Sequence, residues 1–412
     1  MGRHRCRHLF VESRHDRRIE AESGRPTSVV LTQRSGASIE LLDGQRRFAS
    51  DLQPDQLDRL ATTQLVGSAY PNSAPKEDAT LAIRRWVEQL LAAAERALPG
   101  ASFAVVWVDF DQEIVARSLQ MGRDRRRSAR VRLDGYLQKD GKQSRASAES
   151  VIRERTDSQI DDLVVEVTER LELRLDTQTV KPDTSTVVFA PGVGGVWIHE
   201  LVGHAAEGDT VANGESWMSP GIAFFPPALT VMDDPRRGRG GWRIDDEGSP
   251  AQPTAIIRDG GLASFLHSNK TAQAAETRSS GHGRCSSFRD AVLPRLGCTF
   301  VANGSHHPDE IMKEVQEGIY VRRMESAHTD PSSGFALFRI SDADRIEGGK
   351  RTAPLQSHLL ETLAVEALAG ITMIGNDLQF DRCIGSCHRH GQPLVTSVGT
   401  PTICTRLMKV RN

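Results

Sequence analysis

A glycine-led segment near the middle of the chain, PGVGGVWIHELVGHAAEGD over residues 191–209, constrains the fold more than any other stretch. Within eleven residues it carries two histidines and three carboxylates, namely His199, Glu200, His204, Glu207 and Asp209. Adjacent His and Glu with a second His nearby is typical of metal hydrolases, where neutral imidazoles hold a divalent ion and the carboxylate takes a proton from water. The rest of the chain must hold this segment in a fixed geometry.

The spacing of the two histidines does not suit a regular α-helix. His199 and His204 are five positions apart, which turns their side chains about 140° away from each other at 3.6 residues per turn. One interpretation is a helix that ends or bulges near Gly203, and a π-bulge is a form found mostly at functional sites. The other is a buried helix with two hydrogen-bonded core histidines. The motif alone leaves both open, because a metal site needs a third ligand.

Length and composition exclude several classes of protein. The chain has 412 residues, enough for two cores, and its formal net charge of −2 does not suit a general nucleic-acid binder. The basic N-terminus lacks the apolar stretch of a signal peptide, and no run approaches the length of a membrane span. Six cysteines at irregular positions favour reduced thiols and a cytoplasmic location.

The first fifty residues predict antiparallel β-hairpins. Their strands read LFVES, RRIEAES, SVVLTQ and SIELL. Turn residues separate them at Ser23-Gly24, at Gly36 and at Asp43-Gly44. A polar connector with three prolines is expected over 51–76.

Helices and a second set of strands are expected between residues 78 and 175. The apolar spacing predicts an amphipathic helix over 78–98, and FAVVWVDF over 103–110 is strongly β-prone. A second helical spacing over 146–175 predicts the last helix of a first domain. Six arginines cluster over 123–132 without an interleaved aromatic residue. This cluster favours a solvated strand edge or loop over a nucleic-acid site.

A second domain is predicted to start near residue 180, after a linker at Lys181-Pro182-Asp183. STVVFAP then reads as a buried strand that leads into the glycine turn, and a helix is expected over 308–318. Turns at Asp259-Gly260 and Glu347-Gly348 indicate hairpins. We therefore predict an α+β protein, with an N-terminal α/β domain of β-hairpins and amphipathic helices over 1–178. A β-rich domain carrying one metal-binding helix follows over 179–412.

The closing stretch carries candidates for the missing third ligand. Cys383 and Cys387 have three residues between them and no second pair to match, which excludes a four-cysteine zinc ribbon. His388 and His390 follow directly. Either cysteine could complete the site.

Several separated motifs resemble the TldD/PmbA family of metallopeptidases, first described as modulators of DNA gyrase. GVWIHELVGHAAEGD is similar to the family's metal helix, and IDDEGSP with IIRDGGLASFL to its central hairpin. SSGHGR, MIGND and GSCHRHGQPLVTSVGTPT complete the pattern to the C-terminus. The resemblance covers nearly all of residues 180–412, and the hairpins of 9–50 and 103–140 more loosely.

The resemblance implies a metal site and a general base. The family's ligands correspond to His199, His204 and Cys387, and its base to Glu200. Two imidazoles and one thiolate leave a tetrahedral position open for water. They favour one divalent ion, with zinc first and iron as the alternative. Two features depart from the family pattern. The chain starts almost at the first strand, so the additional N-terminal helix that usually precedes the first hairpin is either truly absent or lies upstream of this start, and Cys383, His388 and His390 add soft ligands without an assigned role.

Other polar residues of these motifs have weaker assignments. Glu207 and Asp209 either orient an imidazole or are solvated at the helix end. His282 and Asn376 are expected near the cleft; the alternative is that the glycines around them only form turns. Residues 245–247, DDE, are expected to begin a hairpin, with contact to substrate as a further possibility.

The resemblance implies hydrolysis of unfolded or extended peptides, held as an added strand. It also implies a partner subunit of the PmbA/TldE type that lacks the metal motif, or a homodimer, with no membrane attachment. Two other functions remain open: a non-catalytic partner or gyrase-modulating subunit, and an enzyme that trims a leader or tailors a peptide natural product. The intact metal motif argues against the first of these, and the sequence does not decide the second.

Overall fold

The computed structural model describes residues 6–41, 46–50, 77–118, 121–218, 225–226, 228–238, 240–382 and 385–411. The predicted connector over 51–76, the turn at Asp43-Gly44 and Cys383 lie outside the described residues. Among the described helices, none is long and apolar enough to cross a membrane.

An antiparallel sheet of six strands, in the order β3-β2-β1-β4-β5-β6, forms the N-terminal part. The strands are β1 Cys6–Glu22, β2 Ser28–Leu41, β3 Arg46–Ser50, β4 Ala101–Arg117, β5 Met121–Lys139 and β6 Lys142–Val151. Helices α1 (Glu77–Ala97) and α2 (Asp157–Leu173) bury their apolar sides in one core with the sheet. Trp86 of α1 meets Trp107 of β4 edge to face, with ring centroids 5.8 Å apart. The amphipathic helix predicted over 78–98 is confirmed.

Two predictions for the first hairpins are wrong. LFVES and RRIEAES belong to one continuous strand, because β1 pairs with β2 on one side and with β4 on the other along most of its length. Gly36 is not a turn residue but lies within β2, opposite Glu12. A side chain there would meet the ring of Phe288 at 2.3 Å, so glycine permits the close approach. The turn at Ser23-Gly24 is confirmed.

The helix predicted over 146–175 starts later. Residues up to Val151 belong to β6, which pairs with β5 at the edge of the sheet. Helix α2 begins at Asp157 because Thr156 caps it: the Thr156 side chain accepts from the Gln159 N–H, and Gln159 reaches back to the Thr156 N–H. The arginine cluster of 123–132 lies within β5, an interior strand with neighbours on both sides.

The C-terminal half is rich in strands, as expected. Its strands are β7 Thr184–Phe189, β8 Val231–Asp233, β9 Thr254–Arg258, β10 Gly261–Leu262, β11 Gly283–Arg284, β12 Leu293–Pro294, β13 Cys298–Val301, β14 Glu317–Asp330, β15 Phe335–Glu347, β16 Lys350–Leu355, β17 His358–Leu363, β18 Ile371–Ile374, β19 Gln379–Phe380, β20 Gly385–Arg389, β21 Gln392–Thr400 and β22 Ile403–Arg411. Its helices are α3 Gly194–Ile198, α4 Gly208–Ala212, α5 Asn269–Ala274, α6 Pro308–Glu314 and α7 Ala364–Ala369. The helix predicted over 308–318 is four residues shorter, because β14 begins at Glu317.

Two larger sheets organise these strands around α3. One runs in the order β10-β9-β8-β13-β21-β19, with β20 paired to β21. In the other, β14, β7, β22, β17 and β15 follow one another by pairing, and β15 pairs back to β14, which closes a ring. The buried core contains residues from both sheets and from α3, including Trp197 and Ile198. The fold is therefore a strand-rich mixture of helices and sheets; the division into domains at 178/179 stays a prediction.

Candidate metal centre

A π turn resolves the spacing of the two histidines. Helix α3 continues through a π turn over His199–Gly203 and a 3₁₀ turn over His204–Ala206. The His204 N–H donates to the His199 carbonyl, a hydrogen bond that spans five residues instead of four. This wider turn brings residues five apart onto one side of the helix, and the predicted bulge near Gly203 is confirmed.

The helix is fixed against β7 and β21. Trp197 stacks on Phe189 of β7 with ring centroids 5.1 Å apart, and both rings are fully buried. A side chain at Gly195 would come within 2.7 Å of the Gly399 nitrogen in β21. Glycine thus permits the helix to lie directly on the strand that pairs with β20.

The three side chains predicted as ligands meet in one cluster. Their potential ligand atoms, from His199, His204 and Cys387, all lie within 4.8 Å of one another. The two imidazole rings are perpendicular, with centroids 4.9 Å apart. The Cys387 sulfur lies 3.4 Å from Nε2 of His204. We call this group the donor cluster.

A β-hairpin delivers Cys387 to the donor cluster. Strands β20 and β21 pair in register around a turn at His390 and Gly391, both with positive φ. Since successive strand residues face opposite sides, Cys387 is buried while His388 is exposed. His390 is exposed in the turn. The structure thus separates these two histidines from the donors.

Charge distribution in the donor cluster favours a thiolate. Burial opposes charge on both groups, but the thiolate of Cys387 and the carboxylate of Glu207 raise the pKa of His204 well above its usual value. In the same way, burial is outweighed by the two imidazoles, which lower the pKa of Cys387 well below that of a free thiol. The thiolate is the form that binds metals.

Carboxylates and arginines surround His204. Glu207 is fully buried and its Oε2 lies 2.9 Å from Nδ1 of His204, which leaves Nε2 for the donor cluster. The Arg389 guanidinium lies 3.2 Å from the same oxygen and donates to Asp209 at 2.8 Å. Both carboxylates singled out in the motif are therefore near the site: Glu207 contacts the imidazole, and Asp209 holds the arginine that contacts Glu207.

Arg295 joins the helix side to the Cys387 side. It is fully buried and donates to the backbone carbonyls of Cys387, at 2.7 Å, and Gln392, at 3.0 Å. Its Nε lies 3.9 Å from Oε1 of Glu207, and neither atom has a hydrogen-bond partner among the described residues. The arginine therefore fixes the hairpin and compensates the buried carboxylate at once.

A chain of polar contacts lies behind His199. Thr299 Oγ1 lies 3.5 Å from Nδ1 of His199 and donates to Asp233 at 2.7 Å. The other oxygen of Asp233 lies 3.1 Å from Nε2 of His282, which is fully buried. His282 is thus linked to His199 through Asp233 and Thr299, and its expected place near the cleft stays a prediction.

Glu200 follows His199 in the π turn and is half-buried. Its carbonyl accepts a hydrogen bond from Thr329 of β14 at 3.4 Å. Its carboxylate makes no hydrogen bond with any residue in the described part of the chain.

A cleft of about 1260 Å³ opens along helix α3, which leads into the π turn; the donors and Glu200 are not among its described lining residues. Val193 and Val196 of the same helix and Ser386, the neighbour of Cys387, line it, together with residues of α2, β5, β6 and β14. Val196 lies one helical turn before Glu200. The helix that carries the donors therefore forms one wall of a large open space.

Two other groups of predicted residues do not join the donors. Asn376 is exposed, and its backbone N–H donates to the His306 carbonyl. The side chain of the neighbouring Asp377 accepts a hydrogen bond from the Thr402 N–H. The MIGND motif thus forms turn structure.

The DDE motif of residues 245–247 forms a turn between bridged Ile244 and Pro250, so the predicted hairpin is confirmed. Its three carboxylates are buried and are not among the described lining residues of the cleft, so contact with substrate stays a prediction. Asp246 accepts from Arg126 at 2.6 Å and from Arg284 at 3.1 Å. This group, Asp246 with its two arginines and the neighbouring Asp245 and Glu247, is the Asp246 cluster.

The sequence assigns no role to the arginines that support the two clusters. Arg126 is part of a basic run that predicts solvent exposure, Arg295 lies outside every motif, and Arg389 lies within the C-terminal motif without an assigned role. Each finds its carboxylate far along the chain: 120 residues separate Arg126 from Asp246. A single sequence contains no local signal for such pairs.

Comparisons with known proteins identify the family of this chain. Residues 182–412 match the model of the PmbA/TldA metallopeptidase C-terminal domain. The chain belongs to the TldD/PmbA family. A metalloprotease TldD homolog from Buchnera aphidicola is 32% identical over 235 residues, which are 56% of this chain and 49% of that protein. A zinc metalloprotease TldD homolog from Saccharolobus solfataricus is 26% identical over 254 residues, 61% of this chain and 57% of that protein. The chain spans about half the length of the curated relatives it matches.

Solved structures share the fold over the whole chain. TldE from Thermococcus kodakarensis superposes with a TM-score of 0.72 at 14% identity, covering 98% of this chain and 97% of that one. A candidate modulator of a DNA gyrase from Thermotoga maritima gives 0.73 at 14% identity, covering 98% and 96%. At this identity the likeness establishes the fold alone.

Proposed function

We propose that this chain is a metal-dependent peptidase. The observation that carries the proposal is the convergence of His199, His204 and Cys387 within 4.8 Å, with Glu200 adjacent in the same π turn. Curated relatives that match more than half of the chain are named metalloproteases. Two imidazoles and a thiolate form a set suited to one divalent ion.

The donor chemistry fits such an ion. The proposed ligands are His199, His204 and Cys387, with Glu207 orienting the His204 imidazole as carboxylates do behind metal-bound histidines. Zinc is the first candidate, in line with the zinc metalloprotease named among the relatives, and iron is the alternative. When bound, the ion supplies Lewis acidity that polarises a carbonyl and lowers the pKa of water.

Glu200 is the proposed general base. Its half-buried carboxylate makes no hydrogen bond to the described residues, which suits a group that must accept a proton from water and return it to the leaving amine nitrogen. No covalent intermediate with the protein is needed.

The test of this role is Glu200→Gln. The variant keeps the size of the side chain but not its basicity, so we expect peptide turnover to fall by about 10²- to 10⁴-fold while metal content stays the same. Asp209→Asn, which removes a carboxylate of the same region held by Arg389, is the matched control and should retain most activity. Full turnover by Glu200→Gln would remove Glu200 from the mechanism.

The substrate is proposed to be an unfolded or extended peptide. The cleft along helix α3 has room for several residues, and β14 along its wall offers main-chain groups for an added strand. A PmbA/TldE-like subunit is the proposed partner, with a homodimer as the alternative; the structural likeness to TldE supports a common fold for the two partners. The cytoplasmic location stays a prediction.

A non-catalytic modulating subunit and a tailoring enzyme of peptide natural products are the remaining alternatives. The assembled donor cluster favours catalysis over the first. Peptide cleavage or leader trimming would use the same residues, so only the identity of the substrate separates the peptidase from the second.

A further inference from the structure

A second groove, of about 380 Å³, lies at the start of β5, and its lining is strongly basic. Three parts of the chain contribute arginines to it: β5, the end of β6, and the loop that follows β8. Among its described lining residues the only acid is Asp124, which is buried. We call it the arginine groove; its five arginines are Arg125, Arg127, Arg153, Arg236 and Arg243.

The guanidinium groups of the arginine groove remain accessible. The side chains of Arg127, Arg236 and Arg243 are 60%, 49% and 77% exposed. Each pairs with a carboxylate, but Arg127 shares Asp111 with Arg125, which also pairs with Glu113, and Arg236 shares Asp234 with Arg237. Arg153 is exposed and has no ion pair or hydrogen bond with the described residues. Positive charge is therefore in excess of its local partners.

One wall of the arginine groove packs against the donor hairpin. Gly238 and Gly240 have φ angles of 78° and 109°, and side chains there would meet Ser397 and Val395 of β21. Strand β21 pairs with β20, which carries Cys387. The groove thus lies on the far side of the same hairpin.

The arginine groove and the cleft are lined by the same two strands, β5 and β6. Arg127 lines the groove, and Arg132, on the same strand, lines the cleft. On β6, Val151 lines the groove and Glu149 the cleft. Five residues of extended strand cover about 17 Å, so an extended peptide of moderate length reaches from one space into the other.

The chemistry of the arginine groove favours carboxylates on a polypeptide. Guanidinium groups bind carboxylates and phosphates through paired N–H donors. The groove lacks an accessible ring for base stacking among its described residues, because Trp242 is buried and its indole N–H donates to the Gly281 carbonyl. The chain as a whole is slightly acidic. A nucleic acid is therefore disfavoured relative to an acidic peptide.

We propose that the arginine groove docks an acidic stretch of the polypeptide substrate, so that a segment some residues away enters the cleft along helix α3. The inference rests on the proposed peptidase function and adds a specificity element to it. The substrate is thus selected by the negative charge of a segment outside the cleavage site, while the cleft binds the main chain of the segment that is cleaved.

The test measures binding without cleavage. Two fluorescent peptides share a neutral core and differ in one flank, which carries six alternating Asp and Glu or six alternating Asn and Gln. Fluorescence anisotropy with full-length Glu200→Gln should give about tenfold tighter binding of the acidic peptide at low salt, and the difference should shrink as salt is added. The combined change Arg127→Gln, Arg153→Gln and Arg243→Gln should abolish the difference.

A matched control removes three exposed arginines elsewhere. Arg84→Gln, Arg85→Gln and Arg96→Gln lie on α1, which lines neither space, and should keep the preference. Equal binding of both peptides, or equal loss in the control, would overturn the docking site. A labelled oligothymidine that binds more tightly than the acidic peptide and is lost in the groove variant would overturn the peptide assignment in favour of nucleic acid.

Failure of the peptidase itself gives a different result. If the unmodified protein cleaves neither peptide while the acidic preference in binding persists, the proposed function fails and the docking site stands. If both peptides are cleaved with the same kcat/KM, the peptidase stands and the docking site fails.

Discussion

The donor cluster and the Asp246 cluster are both buried groups of polar side chains, but their charges are satisfied in different ways. In the Asp246 cluster, the Asp246 carboxylate lies between Arg126 and Arg284, and its Oδ2 also accepts the Cys285 N–H. In the donor cluster, the ligand atoms of His199, His204 and Cys387 lie within 4.8 Å of one another, and the charge of the thiolate is balanced by the His204 imidazole. Arginines thus balance the central charge of the first cluster, whereas the second is the set of donors to which we assign a metal ion.

The two clusters also occupy different places in the fold. The Asp246 cluster joins β5 of the N-terminal sheet to the DDE turn and β11 of the C-terminal half. The donor cluster joins one helix to one hairpin within the C-terminal half. We therefore expect damage to the first to appear as loss of stability, and damage to the second as loss of metal and activity.

The largest effect that separates the clusters is expected for Asp246→Asn. It leaves Arg126 and Arg284 buried with a missing counter-charge, which costs about 3–5 kcal/mol of unfolding free energy. Urea denaturation measures this loss. The control is Asp111→Asn, since Asp111 also binds two arginines but is 33% exposed, and such a surface site contributes about 1 kcal/mol or less. Equal losses in the two variants would contradict the distinction.

A smaller effect is expected for Glu207→Gln. The amide still fits beside His204 but lacks the charge that supports the imidazole, so zinc affinity should fall by about 10- to 100-fold. Competition with a chelator measures the affinity, and the urea midpoint of the metal-free protein tests folding separately. Asp209 contacts the His204 imidazole only through Arg389 and Glu207, so Asp209→Asn should lower zinc affinity less. A larger loss of affinity in Asp209→Asn than in Glu207→Gln would show that Glu207 does not support the imidazole.

The smallest effect concerns pH and belongs to the Asp246 cluster. Burial raises the pKa of Glu247 to about 8 and that of Asp245 to about 7. A carboxyl whose pKa is raised on folding binds more protons in the folded state, so its stabilising contribution is present below the unfolded pKa and is lost as pH rises. Unfolding free energy should therefore fall between about pH 4 and pH 8 through this pair.

Glu247→Gln tests that pH dependence. The amide cannot ionise, so the slope of unfolding free energy against pH should become flatter by up to about 1.4 kcal/mol per pH unit, the value for one proton. Urea midpoints across the range give the slope. An unchanged slope would show that folding does not raise the pKa of Glu247.

The sequence predicts the local features of this protein better than its long-range ones. The helix over 78–98 follows from its apolar spacing. The bulge near Gly203 follows from two histidines five residues apart, whose side chains could not face the same side of a regular α-helix. The sequence pattern divides β1 into two strands because its polar centre, Arg14 to Asp16, resembles a turn. Pairing on both sides keeps that centre extended, and such pairing is invisible in one segment.

The candidate site shows the same limit. His199, Glu200 and His204 lie in one motif, whereas Cys387 is assigned only through the family resemblance. Arg295 and Thr299 carry no signal at all, because their roles depend on partners that the fold brings together. The DDE motif looks accessible in the sequence but is buried, since Asp246 is paired with arginines from distant strands and Asp245 and Glu247 accept from backbone N–H groups.

Metal content per chain, measured by elemental analysis of the purified protein and of Cys387→Ala, tests the central claim most directly. Loss of the thiolate leaves two imidazoles, too few for a stable site of this kind. We predict close to one zinc or iron per natural chain and a large loss in the variant. Cys285→Ala, which changes a buried cysteine outside the donor cluster, should keep its metal. No metal in the natural chain, or equal metal in the natural chain and Cys387→Ala, would contradict the account.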